Sequence, residues 1–129
     1  ERFPNLKVGF LEAGCSWVPY WLARLDDHYE HRKLGRYMPL LKMRPSEYFH
    51  RQCIVSCDPG DPTIGLAVAG IGAERIVFAT DYPHFDSGGG AVSAFLSCKD
   101  IDPTDQRKIL HDNAMEFYGV AVRANATAA

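Results

Sequence analysis

Residues 75–81 read Arg-Ile-Val-Phe-Ala-Thr-Asp, and this stretch decides the fold. An unbroken apolar run of this kind predicts a β-strand buried on both faces, as in a parallel sheet covered by helices. The run ends on Asp81, and the turn that holds Pro83 follows directly. The segment therefore predicts a buried strand that delivers a carboxylate at its carboxyl end.

Two further apolar runs have the same form. Residues 6–12 end on Glu12, and residues 53–58 end on Asp58. Helices are predicted over residues 17–29, from residue 45, and over 63–70, 91–97, 103–111 and 113–118. Strands that alternate with helices predict an α/β fold with a parallel sheet.

The first helix shows the clearest amphipathic pattern. Trp17, Trp21 and Leu25 recur at helical spacing, and Val18 and Leu22 widen the stripe. Ser16 is predicted as its N-cap. We expect this stripe to face the core.

Composition bounds the classes of function. The chain has 129 residues, 47% of them hydrophobic and 23% charged, which suits one folded domain. A net charge of −2 gives no basic surplus that would favour nucleic acid or an anionic membrane surface. The apolar runs fall far short of the ~20 residues that span a bilayer. Neither nucleic acid nor a membrane is therefore an expected partner.

The four cysteines predict free thiols. In a strand, Cys53 and Cys57 would lie about 13 Å apart, beyond the roughly 7 Å that a disulfide tolerates. Cys15 and Cys98 complete the set, and their spacing matches no zinc-finger pattern. We therefore expect reduced cysteines and a cytoplasmic location.

The strand-ending acids are the candidate site. Ligands of parallel α/β folds bind at the carboxyl ends of the strands, so Glu12, Asp58 and Asp81 would converge there. Asp81 has the strongest case, because Val77 and Ala79 precede it on one face of the strand, which suits a crowded barrel interior that opens at its mouth. A carboxylate there could bind a divalent metal and orient or deprotonate water. Ordinary turn chemistry is the alternative, above all for Asp58. His84 could touch a substrate, help to bind a metal or be an ordinary turn residue. Trp17 would accommodate an aromatic or unsaturated acid, but it would pack a core just as well.

Three segments in this order resemble the amidohydrolase-related family of metal-dependent hydrolases and decarboxylases. They are Phe10-Leu-Glu-Ala-Gly14 with the following Trp17-Val-Pro-Tyr20, residues 72–84, and residues 109–114 with Phe117-Tyr-Gly-Val120. The similarity covers about residues 2–120. It implies that residues 1–120 are the C-terminal part, about strands 6–8, of a (β/α)8 TIM barrel. Residues 121–129 are expected to be a disordered tail.

The resemblance also implies a site. The family binds a divalent metal, expected to be zinc, through a His-x-His pair, a further His and the Asp that ends the eighth strand. Of these ligands the chain contains only Asp81, as metal ligand and proton acceptor. Glu12 stands where the family's decarboxylases have a histidine that assists proton transfer, and it is expected to act as acid or base. His84 and Trp17 are the expected substrate contacts.

Hydrolysis and non-oxidative decarboxylation of a small carboxylate are both open at this point. Three strands leave two open sheet edges, which predicts a homo-oligomer or association with a missing N-terminal segment. The alternative is a catalytically inactive α/β fragment, or an assembly or binding module, because the His ligands are lacking. A flavodoxin-like domain is disfavoured, since no phosphate-cradling turn follows the first strand.

Overall fold

A three-stranded parallel sheet forms the centre of the computed structural model, which describes residues 2–31, 34–37, 41–84 and 90–120. The predicted tail over 121–129 lies outside these residues. The strands are β1 (Val8–Phe10), β2 (Cys53–Cys57) and β3 (Ile76–Phe78), in the order β1-β2-β3. Both pairings are parallel, so the predicted α/β class is confirmed.

Helices follow each strand and cover the sheet. They are α1 (Val18–His31), α2 (Leu34–Tyr37), α3 (Pro45–Gln52), α4 (Ile64–Ile71), α5 (Ala91–Leu96), α6 (Pro103–Arg107) and α7 (Asn113–Tyr118). A 3-10 turn (Ala73–Arg75) precedes β3, and a π-helical turn (Lys108–Asp112) joins α6 to α7. No helix in these described segments has the length and apolar content to cross a membrane.

The three strands are not equally buried. Four consecutive residues of the central strand β2, from Ile54 to Cys57, are buried. The prediction of a strand buried on both faces is wrong for β1, where Phe10 is 40% exposed. The reason is packing, because the other edge strand β3 is covered by the Lys108–Asp112 turn and α7, whereas β1 packs mainly against β2.

The buried face of α1 differs from the predicted stripe. Val18 and Leu22 are buried, whereas Trp17 is 37% and Trp21 52% exposed. The close approach of α4 explains this rotation, since a β-carbon on Gly70 would lie 2.7 Å from the Pro19 β-carbon. The helix therefore packs through its Val18–Leu22 side and turns its tryptophans outward.

Two strands end earlier than predicted. β3 stops at Phe78, three residues before Asp81, and β1 stops at Phe10, two residues before Glu12. Both acidic residues lie in the turns beyond the strands, with positive φ angles of 60° at Glu12 and 55° at Asp81. The carboxylates are thus presented by turns and not by the strands themselves.

The carboxyl-terminal helices are capped and anchored. Asp102 directly precedes the helix that the sequence predicts from residue 103, a position that favours it as N-cap, and its carboxylate accepts the N–H groups of Thr104 and Asp105 at 2.8 and 3.0 Å. The buried Asn113 amide donates to the carbonyls of Ala73 and Ile76, both at 2.7 Å. These bonds fix α7 against β3.

Candidate active site at the carboxyl ends of the strands

A cavity of about 550 Å³ opens where the strands end. It is lined by Leu11, Glu12, Ser56, Asp58, Val77, Phe78, Ala79, Asp81, His84, Ala114 and Tyr118. All three strand-ending carboxylates and His84 therefore meet at one cavity, as the sequence predicts.

Glu12 is held by a bond from the neighbouring strand. Its backbone N–H donates to the Ser56 hydroxyl oxygen at 3.1 Å. Ser56 is only 2% exposed and lies within β2. A buried side chain thus fixes the backbone of an exposed acidic residue.

Asp81 and His84 form a tight turn. The His84 backbone N–H donates to the Asp81 carbonyl at 2.9 Å, and His84 Nδ1 lies 3.5 Å from Asp81 Oδ2. Both side chains are about half-exposed or more. The imidazole is therefore close enough to pair with the Asp81 carboxylate when it is protonated.

The turns at Glu12 and Asp81 are strained. In the described part of the chain they are the only non-glycine residues with positive φ. Such conformations cost on the order of 1 kcal/mol or more and cluster at functional sites. The coincidence of this strain with two predicted acid–base residues supports a functional cavity.

A cluster of polar side chains joins the loop after β1 to the loop after β2. The Ser16 hydroxyl donates to Asp61 Oδ2 at 2.5 Å and contacts the Thr63 hydroxyl. Burial raises the pKa of Asp61, but the hydrogen bonds from Ser16 and Thr63 outweigh it and bring that pKa below its usual value. The helix that Ser16 was predicted to cap begins at Val18, and the Ser16 side chain links the two loops.

Trp17 is the one predicted site residue outside the cavity lining. Its indole N–H donates to the Gly14 carbonyl at 2.9 Å, and its ring packs edge-on against Phe10 at 5.8 Å. This placement gives no support to a substrate contact at Trp17, which stays a prediction.

Ser56 and Tyr118 are cavity residues that sequence reasoning missed. Ser56 is the one hydroxyl in the strand Cys-Ile-Val-Ser-Cys, a polar residue where burial favours apolar ones. Tyr118 lies one helical turn beyond Ala114 on α7. The signal for Ser56 was a polar residue within an apolar strand. The signal for Tyr118 was its i, i+4 spacing from Ala114 on a predicted helix.

The described lining carries negative charge. It has three carboxylates and His84, and neither Lys nor Arg. A substrate carboxylate would be repelled unless a cation compensates. Yet within the described residues no three His, Cys, Asp or Glu side chains are grouped to hold a metal ion. These residues alone do not make a complete metal site.

Comparisons with known proteins agree on one family. A family model described as Amidohydrolase matches residues 1–120. The chain is 27% identical over 121 residues to a 2-amino-3-carboxymuconate-6-semialdehyde decarboxylase of Dictyostelium discoideum, covering 93% of the chain and 33% of that protein.

Solved structures give the same result. The 5-carboxyvanillate decarboxylase of Sphingomonas paucimobilis is similar with a TM-score of 0.73 and 26% identity, over 93% of the chain and 36% of that protein. A dihydroxybenzoic acid decarboxylase of Polaromonas sp. JS666, with bound manganese and the inhibitor 2-nitroresorcinol, gives a TM-score of 0.71 and 27% identity over 98% and 38%. These neighbours are TIM barrels, and the chain spans about a third of the length of such relatives.

Proposed function

This chain belongs to the amidohydrolase family, and from that membership we propose that it forms part of a metal-dependent enzyme that decarboxylates a small carboxylate substrate. The observation that carries the proposal is the cavity that gathers Glu12, Asp81 and His84 at the carboxyl ends of parallel strands. The decarboxylases among its relatives support this reaction over others.

Glu12 supplies the acid–base step in this proposal. When the bond to the carboxyl group breaks and carbon dioxide leaves, the electron pair stays on the substrate carbon, which must take up a proton. In this proposal Glu12 delivers that proton to the carbon and regains one from solvent. His84, on the same cavity wall, contacts the substrate.

The apolar wall of the cavity favours a flat, unsaturated acid. Phe78 and Tyr118 supply aromatic rings, and Val77 and Ala79 fill the remaining surface. Burial of aromatic area is a strong source of binding free energy. The names of the carboxyvanillate and dihydroxybenzoic acid relatives point to aromatic acids of this kind.

A divalent metal is part of the proposal because the cavity is anionic. We propose Asp81 as one ligand and as a proton acceptor, with the other ligands supplied from outside the described residues. When bound, the metal would offset the negative charge that opposes a carboxylate substrate. Zinc was the predicted ion, whereas the Polaromonas relative holds manganese, so both ions belong in the test.

We also propose that residues 1–120 are about strands 6–8 of the barrel. The chain spans about a third of its relatives' length, which agrees with three strands of eight. The exposed side chains of Phe10 on β1 (40%) and of Tyr20 (67%) and Trp21 (52%) on α1 are consistent with a missing neighbour. Such surfaces are expected where the rest of a barrel packs. A second copy of the chain is the alternative partner for them. The free state of all four cysteines supports a reducing cytoplasm as the location.

An inactive binding or assembly module is the second candidate. The observation that favours it is that the described residues lack a grouped set of metal ligands. Such a module would bind its partner without turnover and without a stoichiometric metal.

Carbon dioxide release tests the proposal. The purified holoenzyme is stripped of metal and incubated with 2,6-dihydroxybenzoate or 5-carboxyvanillate, with and without added Mn²⁺ or Zn²⁺, and an aliphatic acid serves as control. We expect release from an aromatic acid only when a divalent metal is restored. A metal-loaded protein that releases none would contradict decarboxylation, and amide or ester hydrolysis by the same sample would favour a hydrolase.

A further inference from the structure

We propose that Ser56 is a positioning residue that holds Glu12 in the geometry its proton transfer requires. The acid–base role of Glu12 rests on the proposed function, whereas the link between the two residues rests on the structure alone. Ser56 acts through the Glu12 backbone and not on the substrate.

The bond lies where the β-ladder between β1 and β2 stops. The last paired residues are Phe10 and Val55, and the chain then leaves the sheet toward the cavity. One residue further along β2, the Ser56 hydroxyl oxygen accepts the Glu12 N–H at 3.1 Å. Where the turn begins, the Ser56 side chain thus accepts a hydrogen bond of the kind that a backbone carbonyl accepts within the ladder.

A serine at position 56 is unusual, because it puts a hydroxyl group inside a buried apolar strand. A buried hydroxyl costs free energy unless it is hydrogen-bonded, and an apolar residue would suit the strand better. The other buried polar side chains, Gln106 and Asn113, donate to backbone carbonyls outside the cavity lining. Among the buried polar residues of the described chain, Ser56 alone lines the cavity.

The bond between Ser56 and Glu12 stabilises a strained backbone conformation. Glu12 has a φ of 60°, which its β-carbon disfavours. A strained turn persists only when its surroundings fix it. Without the Ser56 acceptor, the turn can relax to an ordinary conformation and carry the Glu12 carboxyl away from its place.

Steady-state kinetics of the holoenzyme provide the first test. Ser56→Ala is expected to lower kcat for carbon dioxide release about tenfold with KM within about twofold, since substrate binding does not need Glu12 to be aligned. Ser56→Thr keeps the hydroxyl and should restore kcat to within about threefold. Ser97→Ala, which removes an exposed hydroxyl at the carboxyl end of α5, away from the cavity lining, is the control and should change neither constant.

Amide hydrogen exchange of Glu12 provides the second test. Ser56→Ala should speed exchange about tenfold, equivalent to about 1.4 kcal/mol, while Ser56→Thr and Ser97→Ala leave it unchanged. Unchanged exchange in Ser56→Ala overturns the proposal, and so does faster exchange with normal kcat. If the wild-type protein releases no carbon dioxide, the proposed function fails, and the exchange measurement alone decides whether Ser56 positions Glu12.

Discussion

Glu12 and Asp81 adopt a backbone conformation that is costly for any residue with a β-carbon. Aspartate tolerates it better than glutamate, because its short side chain is enriched in the left-handed region. The positive φ therefore costs more conformational free energy at Glu12 than at Asp81, and glycine would adopt it without strain. A glutamate kept there is best explained by the chemistry of its carboxyl group.

Replacement of Glu12 measures that strain. Glu12→Gly should be more stable than Glu12→Ala by about 1 kcal/mol, because only alanine keeps the β-carbon that opposes positive φ. Urea denaturation of the two variants, which both lack the carboxyl group, gives the difference directly. Equal stabilities would mean that the turn does not hold residue 12 at positive φ.

Burial should make the fold less stable at high pH, and it should make Cys15 and Cys57 less reactive than the partly buried Cys98. Burial raises the pKa of Cys15 and of Cys57 to about 12, and nearby Asp61 adds to the shift at Cys15. The folded chain therefore keeps thiol protons that the unfolded chain releases above about pH 9, so stability falls as pH rises from 9 toward 12.

Alkylation with iodoacetamide at pH 8, read by mass spectrometry, tests this contrast. Cys98, which is only partly buried, should react at least about tenfold faster than Cys15 and Cys57. In urea all the thiols should react alike. Rapid labelling of Cys57 in the folded chain would contradict its burial.

At the scale of elements, α7 depends on one buried amide. Asn113 donates to two carbonyls beside β3, and both bonds measure 2.7 Å. Asn113→Ala removes both bonds, although the Ala73 carbonyl keeps the N–H of Ile76, and should lower the free energy of unfolding by about 1–3 kcal/mol. Denaturant titration checks this value against Asn5→Ala, an exposed control that should change stability little. A loss below about 0.5 kcal/mol would show that α7 is held by other contacts.

Element order was predictable because hydrophobic runs and caps are local signals. The apolar core of β2 and the Asp102 cap needed no tertiary information. The outward rotation of Trp17 and Trp21 was not predictable, because it follows from the contact of Pro19 with Gly70 on a distant helix. The early ends of β1 and β3 likewise depend on turns whose strain the sequence does not display.

The site residues also divide into those that the sequence could predict and those that it could not. The positions of Glu12, Asp58 and Asp81 could be predicted, since parallel strands bring their carboxyl ends to one edge. Ser56 could not, because its partner is 44 residues away in sequence and is a backbone N–H. A single serine in an apolar strand indicates a buried bond but does not identify its partner.

The whole molecule presents a sheet whose described edges β1 and β3 are both open. Phe10 on β1 and Tyr20 and Trp21 on α1 add exposed apolar surface. Open edges and apolar faces of this kind promote association. The chain is therefore expected to assemble with the remainder of a barrel or with itself.

Light scattering of the purified chain tests this expectation. Residues 1–129 alone should form oligomers, and Trp21→Glu should shift them toward monomer because it places a charge on the exposed face of α1. Leu66→Glu, at a still more exposed position on α4 (73% against 52% for Trp21), should have a smaller effect. A monodisperse wild-type monomer would refute the assembly.

The proposed active site depends most on Asp81, and one paired measurement tests that dependence. Carbon dioxide release and bound metal are determined on the same holoenzyme samples of wild type, Asp81→Asn and Asp58→Asn. Both variants remove one carboxylate from the same cavity. We predict that Asp81→Asn loses activity about 100-fold or more together with its metal, while Asp58→Asn keeps both within about threefold. Near-normal turnover in Asp81→Asn would contradict the proposed active site.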